Sequence, residues 1–74
     1  MSVSYNGLWK LLIDKNMKKM DLVEDENIGI SSSTLAKMSK GEQVSMAILE
    51  KICIALDCDF GDIVSIVRDD KNEN

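Results

Sequence analysis

One spacing recurs along this chain and restricts what it can fold into. An apolar residue is followed five positions later by another in Val3/Leu8, Met17/Leu22, Ile30/Leu35, Val44/Leu49 and Cys58/Ile63. That is the interval of a hydrophobic staple, which clamps the first turn of a helix around its N-cap. In four of the pairs the cap position holds Ser4, Ser31, Ser45 or Asp59. Their side-chain oxygens can accept one of the orphan N–H groups at a helix start. In the fifth pair the position holds Lys18, whose ammonium cannot accept. Proline is absent, so nothing in the chain forbids helix.

The apolar periodicity agrees. Leu8/Leu12 and Trp9/Ile13 are i, i+4 pairs, and Ile48, Leu49, Ile52, Cys53, Ala55 and Leu56 form two adjacent stripes on one helix face. The reading is five short helices over about 5–15, 19–26, 32–39, 46–56 and 60–67. No stretch alternates strictly enough to predict a strand. The expected fold class is therefore all-α, a compact bundle of about five short helices. Gly29 and Gly41 fall in connections, where positive φ is useful. One domain is expected over 1–74, ordered over about 4–68, with 69–74 a polar tail.

Composition removes several functions. The 74 residues contain no His and only Cys53 and Cys58, which cannot supply a four-ligand zinc site or a disulfide framework. Without His there is no Ser-His or Cys-His pairing, so no catalytic residue is named and no enzyme or cofactor is expected. No apolar run has the length of a membrane helix and no leader pattern opens the chain. The expectation is a cytoplasmic protein without a membrane partner.

The net charge of −4 is uneven. Residues 1–40 carry six lysines against five carboxylates, whereas 41–74 carry three cations against eight carboxylates. The N-terminal part is thus nearly neutral, with local lysine pairs.

The stretch from Met17 to Gly41 is the most informative. It reads as a short helix, a turn with glycine, then a helix that opens on Ser31, Ser32, Ser33 and Thr34 and carries Lys37, with Lys40 just beyond. Ile30, Leu35 and Met38 can face inward, which leaves small hydroxyl residues outward at the N-terminal end. A helix start offers N–H groups and a positive dipole end to phosphate. Short polar side chains there can reach base edges, and lysines further on can neutralise backbone charge.

At these residues the chain resembles the small Cro/repressor-type, XRE-like helix-turn-helix proteins, in particular their short single-domain members. The resemblance rests on Leu22, the Gly29-Ile30-Ser31 turn, Ser33-Thr34-Leu35, Lys37 and Gly41. It continues through Val44-Ser45, Leu49, Ile52-Cys53, Ala55-Leu56-Asp57-Cys58 and Asp62-Ile63, and includes Tyr5-Asn6 and Leu8 to Leu12 near the start. It implies a lambda-repressor-like helix-turn-helix fold. It also implies a sequence-specific transcriptional regulator that reads the major groove of double-stranded DNA with helix 32–39, as a homodimer on a partly palindromic site.

Carried over by residue, the resemblance places Ser31 at the cap of the recognition helix, near a phosphate. It faces Ser32, Ser33 and Lys37 toward base edges and sets Thr34 by the backbone or a thymine methyl. Lys40 meets phosphate past the helix, and Lys18 and Lys19 meet it at the start of the first motif helix. Three departures stand out. Between Leu22 and Leu35 the chain is about two residues longer than the family pattern. Glu24, Asp25 and Glu26 put carboxylates near the DNA face. Lys18 replaces an uncharged cap.

Plainer readings exist for the same residues. The serine run can be only a capped helix start, Lys37 and Lys40 solvated charges, and Glu24 to Glu26 a solvated face. Tyr5 and Trp9 are expected in core or dimer-edge packing, Met17, Met20, Met38 and Met46 as core fillers, and Cys53 as an inert buried thiol. Val64, Ile66 and Val67 are candidates for a dimer surface. The alternative function is a protein-interaction module, antirepressor or antitoxin-like, that keeps the scaffold and binds a protein partner.

Overall fold

The computed structural model describes residues 2–68. The elements run β1 (Ser2–Ser4), α1 (Asn6–Asp14), α2 (Asp21–Glu24), α3 (Ser32–Ser39), α4 (Met46–Leu56), α5 (Phe60–Ile63) and β2 (Ser65–Val67). The expected tail over 69–74 lies outside the described residues.

Three foreseen caps are in place. The Ser31 and Ser45 hydroxyls accept from the N–H of Thr34 and Ile48, three residues on. Asp59 and Asp62 form a reciprocal capping box around the start of α5. The expected start at Lys18 moves: α2 begins at Asp21 behind Met20, which makes no side-chain cap bond, and Asp21 Oδ2 accepts the Lys18 backbone N–H at 2.8 Å. Ser4 does not cap α1. Tyr5 holds that position without a side-chain bond, while Ser4 pairs in β1 and accepts the Asn6 N–H at 3.2 Å.

The all-α expectation requires correction. β1 and β2 pair antiparallel, with Ser2 opposite Val67, Val3 opposite Ile66 and Ser4 opposite Ser65. The helix expected over 60–67 ends at Ile63, and Val64 turns extended with φ −137° and ψ 143°. The β-branched Val64, Ile66 and Val67 favour strand once a partner is present. That partner lies at the opposite end of the chain, so no local pattern announced it.

The helix expected over 19–26 is confined to Asp21–Glu24, because Asp25 is extended with ψ 126°. The Asp25 carboxylate accepts the Asn27 N–H, and its carbonyl accepts those of Ile28 and Gly29. Gly29 sits at φ 57°, and the Ile30 N–H returns to the Leu22 carbonyl at 3.1 Å. The longer connection is therefore an ordered turn over 25–31, pinned on either side of Gly29 by buried Ile28 and Ile30.

One core unites the elements. Tyr5, Leu8 and Leu12 meet Leu22, Leu35, Met38, Leu49, Ile52, Leu56 and Ile63. Each large side chain contributes roughly 1.5–3 kcal/mol by leaving water. Met38 belongs to this core, but Met20 and Met46 do not, being 47% and 63% exposed. Met17 is partly buried and packs against the core, and Leu22 and Leu49 take the inward positions beside the two exposed methionines.

Candidate nucleic-acid interface

Leu35 and Met38 are buried and fix which way α3 faces. With 100° per residue, Ser33, Ala36, Lys37 and Lys40 fall on the opposite side. Ser32, Ser33, Lys37 and Lys40 are exposed, and Thr34 is half-buried beside them. The structure thus brings six of the eight expected residues, Ser31 through Thr34 with Lys37 and Lys40, onto one helix and its ends.

The hydroxyls at the start of α3 are not equivalent. Ser31 Oγ accepts the Thr34 N–H at 3.1 Å and donates to Thr34 Oγ1 at 2.9 Å. Its remaining lone pair faces Ser33 Oγ at 3.1 Å, so Ser33 donates there. One donor and two acceptors exhaust a hydroxyl. Ser31 is therefore occupied in building the cap, and Thr34 keeps its own O–H free. Ser32 and Lys37 stand outside this cluster, with their polar groups open to solvent.

An open depression of about 450 Å³ lies between α3 and the start of α4, lined by Thr34, Lys37, Gln43, Val44, Ser45 and Ile48. Gln43 and Ser45 extend the polar surface beyond the residues named from the sequence. Ser45 was legible as a cap, but nothing in the linear pattern placed it beside Lys37.

Lys18 and Lys19 lie in the turn before α2, away from α3 in sequence. Both are exposed. The Lys19 ammonium stands 4.4 Å from the centroid of the Trp9 ring on α1. Trp9 in turn lies 6.3 Å from the Tyr5 ring at a tilt of 55°. Tyr5 is buried and its hydroxyl donates to the Glu42 carbonyl at 2.7 Å, just after α3. Burial pushes the Tyr5 hydroxyl up from its ordinary pKa, with the backbone at Val44 opposing. Of the three acidic residues, Asp25 is engaged in the turn, while Glu24 and Glu26 are exposed.

A short helix, an ordered turn and a second helix with an outward polar face define a helix-turn-helix DNA-binding domain. Residues 7–69 match the Cro/C1-type HTH DNA-binding domain, and the chain belongs to that family. Its structure is similar to the crystal structure of the transcriptional regulator VanUg, with 53% sequence identity and a TM-score of 0.85 over 92% of this chain and 88% of that one. No curated protein matches the chain significantly. Among the described residues no helix is long and apolar enough to cross a membrane.

Proposed function

We propose that this protein is a sequence-specific transcriptional regulator of the cytoplasm that lays α3 into the major groove of double-stranded DNA. The observation that carries the reading is the outward face of α3. Ser33 and Lys37 are exposed there, opposite Leu35 and Met38 in the core, with exposed Ser32 on the flank. In this reading Ser32, Ser33 and Lys37 meet base edges, and the Thr34 hydroxyl donates to the DNA backbone. Ser31 acts through the helix start it caps. Lys40, Lys18 and Lys19 neutralise phosphates. The family and the similarity to a transcriptional regulator support the same assignment.

The protein acts as a homodimer on a partly palindromic site. A single module offers one short reading helix, and two half-sites about one DNA turn apart multiply its contacts. Ile66 and Val67 on β2, 59% and 44% exposed, supply an apolar surface for that association. Val64, the third candidate, is half-buried and packs against the core instead.

Selection from a random duplex pool at about 0.15 M salt tests the assignment, because nonspecific phosphate contacts are weakened there. The expected result is enrichment of a short inverted repeat. No enrichment by folded protein overturns it in favour of a protein-interaction module.

A further inference from the structure

The Lys19–Trp9 contact and the Tyr5–Glu42 hydrogen bond join two parts of the molecule that the chain keeps apart. Lys19 precedes α2, and Glu42 follows α3. Between them stand only Trp9 and Tyr5, one helical turn apart on or beside α1. The Trp9 backbone N–H donates to the Tyr5 carbonyl at 3.0 Å, and the two rings lie 6.3 Å apart. We propose that Trp9 is a positioning residue of the DNA interface, holding the Lys19 ammonium in place for a phosphate at a set distance from the segment after α3. This rests on the DNA-binding reading above.

The Lys19 backbone is constrained before its side chain is considered. The Asp21 N–H donates to the Lys18 carbonyl at 2.9 Å, the Leu22 N–H to the Lys19 carbonyl at 3.0 Å, and the Lys18 N–H to Asp21 Oδ2. A free lysine side chain above such a turn samples many rotamers and loses that freedom on binding. The electron-rich face of an indole attracts an ammonium and narrows the sampling. It takes one side of the ammonium and leaves the other for an anion. Trp9 is half-buried, so its ring is held by the core while one part stays at the surface. Lys18 has no such support, although its charge and exposure are the same. The two neighbouring lysines therefore divide, Lys19 preorganised and Lys18 loose.

The other end of the linkage is as firmly held. The Tyr5 hydroxyl fixes the Glu42 carbonyl, and the Glu42 N–H returns to the Lys37 carbonyl at 2.9 Å. Lys40 lies between those two anchor points. The aromatic pair thus links the lysine before α2 to the backbone segment after α3.

The test compares the salt dependence of binding to a labelled 30-base-pair duplex for the full chain and its variants. Each neutralised phosphate contributes about 0.9 to the log–log slope. Lys19→Met keeps the stem and removes the charge. It is expected to lower the slope by about 0.9, an approximately threefold smaller change in affinity between 0.05 and 0.2 M salt. Trp9→Leu should lower it similarly, Trp9→Phe should restore most of it, and Trp9→Leu with Lys19→Met should lose no more than either alone. Trp9 is the sole tryptophan, so its emission should also change on DNA addition in the wild type and not in Lys19→Met. An unaltered slope in Lys19→Met overturns the proposal, even if Trp9→Leu fails to fold. A Trp9→Leu protein with weaker binding and the wild-type slope also overturns it, since Trp9 would then act through the fold alone. If folded wild-type protein binds no duplex, the DNA-binding reading itself fails, an outcome distinct from either.

Discussion

The Tyr5 hydroxyl and the Glu42 carbonyl oxygen lie 2.7 Å apart, joined across 37 residues of chain. This bond fastens the segment that leaves α3 to the residue just before α1. Beside it, Gly41 at φ 77° lets the backbone pass Val3, whose carbonyl oxygen would lie 3.1 Å from any Cβ placed there. The C-terminal end of α3 is therefore held by the N-terminal segment of the chain. Tyr5→Phe removes the donor and keeps the ring. It should destabilise the protein by about 1 kcal/mol, read by chemical denaturation, and speed amide exchange around residues 40–45.

Ser31 separates cap from contact. Ser31→Ala removes an acceptor used by the Thr34 N–H and should fray α3 at its N-terminus, with an expected loss of about 1 kcal/mol in thermal unfolding. Ser31→Asp keeps the cap and suits the helix dipole, so stability should hold. Its DNA affinity should nevertheless fall, because a carboxylate then faces phosphate. Unchanged affinity in Ser31→Asp would place the start of α3 away from the DNA.

Lys37 stands on the outward face of α3 and borders the depression beside α4. Lys37→Ala should weaken binding to the selected repeat by at least about fivefold and relax preference at one position of the half-site. A loss that is equal for selected and random duplexes would reassign Lys37 to phosphate.

Gly7 tests the packing of α1 on α5. A Cβ there would run into the Asp62 carbonyl oxygen, which is backbone and cannot swing away. Gly7→Ala should therefore destabilise by roughly 1–3 kcal/mol, although alanine is the better helix former by about 1 kcal/mol. A stabilised variant would show that α5 yields readily.

The two thiols meet at the end of α4. Asp57 is left-handed at φ 55°, the Cys58 N–H returns to the Cys53 carbonyl at 3.0 Å, and that of Asp57 to Ile54. This is a Schellman motif, with Cys53 and Cys58 in the positions of its apolar contact. Burial first, then Cys58 and the nearby Asp59 and Asp62, push the Cys53 thiol up to about 11 from 9.0. The folded state thus disfavours the thiolate. Its contribution is full below pH 9 and is lost as pH rises from about 9 through 11. Unfolding free energy should fall over that interval more steeply in wild type than in Cys53→Ala, and alkylation of Cys53 at pH 8 should be slow.

Much of the helical frame is legible in the sequence. Ser31, Ser45 and Asp59 begin helices because a cap bond spans three residues and a staple five, both within reach of a linear pattern. The same locality explains why the outward face of α3 was legible, since Leu35 and Met38 determine it at helical spacing. The end of α5 is not marked in the sequence, because the apolar staple marks where a helix starts and carries no information about where it stops. Val64 to Val67 could have continued as helix, and only Ser2–Ser4 made strand the better choice.

The chain's local chemistry settled where α3, α4 and α5 start, that Leu35 and Met38 face inward and which helix presents hydroxyls and lysine outward. Contacts between distant residues settled the rest. Val3 opposite Ile66, Tyr5 on Glu42 and Lys19 over Trp9 each join segments separated by a turn or by most of the chain. Such contacts form only after the core has brought the segments together, because the entropy of closing the loop between them must first be offset by burial. Any of these residues has many apolar or polar partners of the right chemistry in the sequence. The packed core selects one.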